Sequence, residues 1–300
     1  MGKLVPWNKS PLEVDDIPVA IISLGDAGER RQTLIDRGFL PELVNNFWPA
    51  CDMRGLADSE LQNYDQYNDI QEIYNRPPVP AELGCFFSHS EIIRWLSEQD
   101  MVSQVVIFED DVIPATRKSL EVLSELTDFF GVYAKDGNPY ICHLGPRLDQ
   151  WRSAFTRRVI NGNDCAIHGN DLFELVDRKT KLWRAHAYII SKEAANRYVE
   201  LANKTGFLAD DWRFISDGSR SKVVTVIPPL FTQDEDVVST IDPGNKRLLM
   251  DQLKLSTDDK SFGNGRSQWM IFGRLFVILK KIFKRSLVIF YRNLYGRKLF

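Results

Sequence analysis

Three consecutive carboxylates, Glu109, Asp110 and Asp111, stand where an apolar run gives out in QVVIFEDDVIPA, residues 104–115. Charges of one sign repel and are costly to desolvate, so their place at the end of a strand-like run calls for a reason. A solvated turn, a bound cation, or acid–base chemistry would each supply one. A hard divalent cation such as magnesium or manganese is held by one or two carboxylates together with a substrate's phosphates. On an extended chain, residues two apart point the same way, so Glu109 and Asp111 are expected to converge on one ligand. Asp110 is then expected to face the core or a helix terminus.

A second acidic pair, Asp210 and Asp211, lies in LADDWRFISDG. Asp211 has two readings: the N-cap of a helix beginning at Trp212, or a general base that takes a proton from an attacking hydroxyl. Of the four histidines, His89 sits at helical spacing between Phe86 and Ile92, which fits a half-buried core histidine. His186 alternates with Tyr188 and is open to three roles: metal ligand, donor to a leaving group, or core. His143 and His168 carry no pattern. The sequence contains no H-E-x-x-H, G-x-S-x-G, Walker A or G-x-G-x-x-G motif, so zinc protease, serine hydrolase, P-loop and dinucleotide-binding readings lose their usual supports.

The elements that must hold these groups alternate between strand and helix. IPVAIIS (17–23) reads as a buried strand, followed by a Gly25/Gly28 turn and a helix from Glu29 to Arg37 that ends at Gly38. Residues 52–80 are polar and Tyr/Asn-rich, and read as a long loop or lid with room for one helix. ELGCFFSHSEIIRW is helical and feeds the strand Val105–Phe108. A helix over 117–130, the strand PYICHLG, the strand–helix unit RAHAYIISKEAANRYVELANK and the strand KVVTVIPPLF complete the set. Such alternation predicts an α/β sandwich with a mostly parallel central sheet, in which ligands bind beyond the carboxyl ends of the strands. Glu109–Asp111 is at one such end.

Three hundred residues at 44% hydrophobic can bury a full core. The four cysteines, Cys51, Cys85, Cys142 and Cys165, form no C-x-x-C pair, which fits a reducing compartment better than a disulfide framework. The opening MGKLVPWNKSPLEVDD lacks the apolar stretch of a secretory signal, so a cytoplasmic protein is expected.

In this order, the E-R-R after the first strand, ELGCFFSH, VVIFEDDV, AHAYIISKEAANRY, ADDW and PPLFTQ resemble glycosyltransferase family 25. That family comprises lipooligosaccharide-type galactosyltransferases of bacteria and related collagen galactosyltransferases. The resemblance runs from about Ile17 to Ile241, and its most specific part is E-x-G-C-x-x-S-H followed by a hydrophobic strand and E-D-D. It implies a GT-A-type nucleotide-sugar-binding fold and a UDP-sugar donor, commonly UDP-galactose. It also implies a manganese-type ion (magnesium as the alternative) and transfer to a saccharide such as lipopolysaccharide, with inversion. Carried over residue by residue, Asp111 and Glu109 are the expected metal ligands. Ser23, Glu29, Arg30, Glu82, Ser88, His89, Glu109 and His186 are the expected donor-binding set, and Asp211 with Asp210 the expected catalytic acids. Arg30 or Arg31 adds a phosphate contact. The chain departs from the family at Ser23, where Asn is usual, in VPAELG, and at Arg184–Ala185, where Gly-Thr is typical; these bear on donor and acceptor rather than on reaction class. The competing functions are a metal-dependent nucleotidyltransferase and a non-catalytic, membrane-associated saccharide- or partner-binding homologue.

Charge divides the chain. From Lys260 to Phe300 there are ten Lys or Arg and no acidic residue, leaving 28 basic against 41 acidic in the first 259, a net of −13. Within the tail, Arg274, Lys281, Arg285 and Arg292 fall in an arc of about 40° on a helical wheel. Apolar runs such as Leu275–Leu279 are far short of the roughly 18 residues of a bilayer span. A basic amphipathic helix on an anionic membrane surface is expected, with docking on the acidic body or an oligomer contact as the alternative. Nucleic-acid binding is not expected of so acidic a body. The organisation read from sequence is an N-terminal extension (1–16), a catalytic domain (17–245), a linker (246–266) and the membrane-associating tail (267–300), on a peripheral cytoplasmic protein.

Overall fold

A computed structural model describes residues 3–13, 16–135, 137–146, 157–158, 171–174 and 182–233. The linker and the basic tail lie outside the described residues, as does the boundary at 245. In chain order the elements are β1 (Lys3–Pro6), β2 (Asp16–Ser23), α1 (Gly28–Asp36), α2 (Pro41–Asn45), β3 (Trp48–Pro49), α3 (Asp58–Leu61), α4 (Asp65–Tyr74) and α5 (Pro80–Glu98). They continue with β4 (Gln104–Glu109), β5 (Val112–Pro114), α6 (Ser119–Lys135), β6 (Tyr140–His143), β7 (Arg157–Arg158) and β8 (Asp171–Glu174). β9 (Ala187–Ser191), α7 (Lys192–Ala202), α8 (Trp212–Ser219), β10 (Lys222–Ile227) and β11 (Phe231–Gln233) close the described chain.

A sheet in the order β1-β2-β4-β9-β6-β10-β8-β7, with β3 beside β2, divides the core in two. Seven of these strands run one way, and β8 and β9 run against them, β9 lying antiparallel between β4 and β6. The mostly parallel α/β sheet read from the sequence is therefore present, with one reversal at its centre. Alternation along each strand feeds the two faces. Val19 and Ile21 of β2, Val106 and Phe108 of β4, and Ile189 of β9 pack with Leu34, Leu43, Leu123 and Leu126 of α1, α2 and α6. Ala20, Ile22, Val105, Ile107, Tyr188 and Ile190 pack on the other face with Phe86, Ile93, Ala194 and Ile215 of α5, α7 and α8.

Two local findings differ from the sequence reading. The N-terminal segment set apart as an extension supplies β1, parallel to β2, and Trp7 behind it packs at a tilt on Trp48 of β3, 4.3 Å between ring centres. The polar stretch 52–80 folds as α3 and α4 over its own small core, with Leu61, Tyr67 and Ile70 against Met53, Leu83 and Leu208. Gly206 fastens it: its N–H donates to Asp69 Oδ2 at 2.7 Å, and a Cβ there would stand 2.5 Å from Gln66 Cα. Any side chain at 206 would push α4 off.

β5 and β11 form a separate two-stranded ribbon in which Gln233 is opposite Val112. Phe231 of β11 packs edge-to-face on Phe108 at 4.9 Å, and Phe39 does the same at 5.3 Å. Aromatic pairs of this kind add about 0.5–1.5 kcal/mol beyond their buried area. They fix the ribbon, and with it Gln233, over the end of β4.

Candidate active site

Strand parity decides where the three acids go. Glu109 shares the face of Val105 and Ile107 and points at α5, where His89 Nε2 lies 3.2 Å from its Oε1 and Cys85 Sγ 3.9 Å. Asp110 shares the face of Phe108 and points at α1. It accepts from Ser23 Oγ at 2.7 Å and pairs with the Arg30 guanidinium at 2.9 Å. β4 ends at Glu109, and residues 110–111 are a turn, so alternation does not carry on to Asp111. Asp111 swings to the α1 side: its Oδ2 accepts from Gln233 Nε2 at 2.7 Å and lies 3.3 Å from Arg30. Arg30 thus bridges Asp110 and Asp111, and the expected side-by-side convergence of Glu109 and Asp111 is replaced by a charge relation around the turn.

Among the described residues, Asp111 Oδ1 is buried with no hydrogen-bond partner. Burial, and next the negative charge of Glu109, push the Asp111 carboxyl up to about 7, against the opposing pull of Gln233 and Arg30. Burial also raises Asp110, and Arg30 and Ser23 hold it back. A cradle with an unmet carboxylate oxygen beside a second acid fits a divalent cation that takes oxygen ligands.

The neighbouring side chains brace this arrangement. Arg31 donates to Ser23 Oγ at 2.9 Å, and its guanidinium lies 4.1 Å from the centre of the Phe47 ring. Glu29, expected among the donor ligands, is exposed in the first turn of α1. Glu82 is buried and occupied by structure: its carboxylate takes two bonds from Arg76, both 2.7 Å, and the Val79 N–H at 3.0 Å, capping α5. Ser88 Oγ donates to the Gly84 carbonyl and accepts from Cys51 N–H, tying α5 to the chain after β3. His89 faces inward from α5, with Nδ1 2.8 Å from the Tyr188 hydroxyl.

Asp211 is the N-cap of α8, accepting from Phe214 N–H at 3.1 Å, so the capping reading is realised. Its second oxygen accepts from Tyr74 OH at 3.2 Å, and Tyr74 in turn accepts from Leu208 N–H. Asp210 beside it is half-buried. Trp212, the first residue of α8, lies against Tyr188 at 4.8 Å and His143 at 5.6 Å between ring centres, which links the capped acid to the β9 face. Sequence reasoning gave no role to Tyr74, Gln233 or Cys85. Gln233 and Cys85 stood inside recognisable motifs, whereas Tyr74 was hidden in the polar 52–80 stretch.

Two histidines lie buried behind the site. His143 Nε2–H donates to the Arg184 carbonyl at 2.7 Å, and Nδ1 accepts from Gly145 N–H at 3.2 Å, which defines a neutral tautomer. Burial lowers its pKa to about 4. Burial lowers His186 as well, with His143 and Arg184 adding to the effect and the Phe231 backbone opposing it. Gly145 has no side chain because His186 Nε2 stands 2.1 Å from where its Cβ would be. An unfolded histidine titrates near 6.5, so stability from keeping His143 neutral is whole above that pH and drains as pH falls towards 4. Asp110 and Asp111 act in the opposite sense, so the contribution is isolated by a variant. His143→Gln is expected to lose about 2 kcal/mol of its disadvantage to the parent between pH 7.5 and pH 5 in urea unfolding. An unchanged gap at the two pH values would contradict a buried neutral His143.

No curated protein matches the sequence. Among solved structures, apo UDP-glucose pyrophosphorylase aligns over 78% of this chain and 92% of its own, with 11% identity and a TM-score of 0.32, a likeness too slight to carry an argument. The model of glycosyltransferase family 25 (LPS biosynthesis protein) matches residues 16–212, from the first residue of β2 to the first residue of α8. That span takes in Ser23, Arg30, the α5 block, the three strand-end acids and Asp211, all of the assembled site but Gln233: the chain belongs to glycosyltransferase family 25 and is a glycosyltransferase.

Proposed function

We propose that the protein transfers a hexose, galactose from UDP-galactose foremost, onto a saccharide hydroxyl of lipooligosaccharide or a similar surface glycan, with inversion and with a divalent cation, manganese before magnesium, in a GT-A-type site. The observation that carries this reading is Asp111 Oδ1, buried and without a hydrogen-bond partner among the described residues, at the turn after β4 where Glu109 adds negative charge. Asp111 would hold the cation, and Glu109 would help by its negative charge across the turn or by swinging over from its α5 side; when bound, the cation supplies a Lewis acid for the leaving diphosphate. Arg30 and Arg31 set the positive side of the same pocket. Arg30 keeps Asp110 and Asp111 in place, and Arg31 holds Ser23 and the end of β2. The Asp210–Asp211 pair takes the acceptor's proton: Tyr74 and the α8 N-terminus fix Asp211, and Asp210 is its half-buried neighbour. A single displacement suits the absence of an evident covalent nucleophile in the sequence motifs. The basic composition of residues 260–300 supports work at an anionic cytoplasmic membrane surface, where a lipid-linked acceptor is presented.

The test is nucleotide release by purified full-length protein offered UDP-galactose, UDP-glucose and their N-acetyl forms, with manganese or chelator, with and without lipooligosaccharide. Metal-dependent, acceptor-stimulated release of UDP from UDP-galactose is expected. Pyrophosphate as the product, or no release from any donor with acceptor and lipid present, would overturn the reading.

A further inference from the structure

We propose that Cys85, His89 and Glu109 form a binding site for a soft divalent cation of the zinc class, distinct in its donor set from the oxygen-rich position at Asp111. The site itself is independent of the transferase reading. Its three ligand atoms, a sulfur, an imidazole nitrogen and a carboxylate oxygen, all lie within 4.8 Å of one another. Cys85 and His89 are four residues apart and so share one face of α5. Glu109 is brought opposite them by the parity of β4.

The spacing suits zinc. Zinc bonds of about 2.0–2.3 Å in a tetrahedron place neighbouring ligand atoms roughly 3.3–3.8 Å apart. Here His89 Nε2 and Glu109 Oε1 are 3.2 Å apart, and Cys85 Sγ and Glu109 Oε1 3.9 Å. Three protein ligands leave a fourth position for water or a ligand atom. A thiolate–imidazole set selects a borderline or soft ion over manganese or magnesium, which prefer oxygen.

The surroundings supply what such a site needs. A metal-bound imidazole is oriented by a partner on its other nitrogen, and here Tyr188 OH lies 2.8 Å from His89 Nδ1, with the two rings stacked. The tyrosine hydroxyl serves both states. Without the ion, Tyr188 O–H donates to Nδ1 and Nε2–H donates to Glu109. With it, Nδ1–H donates to Tyr188 and the Nε2 lone pair faces the metal. The Cys85 thiol releases its proton to solvent on binding, and the histidine keeps one proton throughout. His89 is buried, but Cys85 and Glu109 are only half-buried, so an ion has a route in. If the transferase reading holds, zinc takes Glu109 away from its role beside Asp111 and opposes the cation used for transfer.

The experiment is direct binding, so that its outcome stands apart from activity. Chelator-stripped full-length protein is titrated with Co2+ as a spectroscopic probe, then with Zn2+ in competition against a chromophoric chelator. One equivalent of Co2+ is expected to give a thiolate-to-cobalt charge-transfer band that Zn2+ displaces and excess Mn2+ or Mg2+ does not. Cys85→Ser, a near-isosteric change whose fold is checked by circular dichroism, should abolish the band and weaken Zn2+ about 100-fold, while Cys51→Ser keeps both. Tyr188→Phe should retain the band and weaken Zn2+ about 10-fold. A cobalt spectrum without the thiolate band, or a band and zinc affinity unmoved by Cys85→Ser, would overturn the proposal.

Discussion

Asp111→Asn is expected to yield a protein that is more stable than its parent at pH 8 and about 1,000-fold slower in transfer. Both effects come from one carboxylate. In the fold it keeps its proton up to about 7, chiefly because burial disfavours the charged form and Glu109 adds repulsion, whereas an unfolded aspartate titrates near 3.8. Between those values the native state binds more protons than the unfolded chain, so stability falls as pH rises, and the full penalty is present above about 7. Every tenfold difference in proton affinity between the folded and unfolded chain is about 1.4 kcal/mol, and Asn forfeits the ion pair with Arg30. A net gain on the order of 2 kcal/mol at pH 8 remains, and it largely disappears near pH 4, where the folded carboxyl is neutral and the unfolded one is only about half ionised. The rate falls because a cation held through Asp111 stabilises charge on the leaving diphosphate by several kcal/mol, and about 4 kcal/mol corresponds to 1,000-fold. Urea unfolding at pH 8 and pH 4 with UDP release at pH 8 checks both. A variant that is less stable at pH 8, or one that transfers at near the parental rate, would remove Asp111 from this role.

Whether a feature could be read from the sequence depended on how local its cause is. β2, β4 and β10 were legible because apolar β-branched runs bounded by polar residues specify a buried strand without reference to the rest of the chain. The antiparallel setting of β9 between β4 and β6 was not, since the run AYIIS would suit either direction and the choice is made by distant pairing. β1 and β3 are too short to announce themselves. α4 was disguised by composition: its inward residues, Tyr67 and Ile70, are one turn apart amid Asp, Gln and Asn.

The same distinction runs through the site. Parity sent Glu109 and Asp110 to opposite faces, as an extended chain requires, but the turn after Glu109 broke the rule for Asp111. The capping role of Asp211 follows from its neighbours in sequence, whereas its bond to Tyr74 joins positions 137 apart. Glu82 shows the hazard in carrying a motif to a role. Its place as the third residue of α5 and the two hydrogen bonds it accepts from Arg76 account for a buried carboxylate through folding alone.

Arg30→Met is expected to cost about 3 kcal/mol at pH 8, far more than the loss of an ordinary ion pair. Exposed pairs contribute under about 1 kcal/mol, but Arg30 is the cation held between a buried carboxylate and a largely buried one, with 19% of its own side chain exposed, 7% of Asp110's and 14% of Asp111's. Methionine fills much of the arginine stem's volume, so the loss is electrostatic rather than a cavity. Removing one partner of a buried pair leaves the other's desolvation uncompensated, a penalty of about 3–5 kcal/mol in full. Here Ser23 still donates to Asp110 and Gln233 to Asp111, which keeps the cost at the lower end. Two consequences separate this account from simple misfolding. The deficit should shrink by more than half at pH 5, where both carboxyls, already raised by burial and now without their counter-charge, take up protons. Adding Asp110→Asn to Arg30→Met should recover most of the stability at pH 8, because it removes a charge that no longer has a partner. Unfolding curves for the parent, Arg30→Met, Asp110→Asn and the double variant close the cycle. Additive losses in the double variant would mean that Arg30 stabilises the fold by its packing and not by holding the acids together.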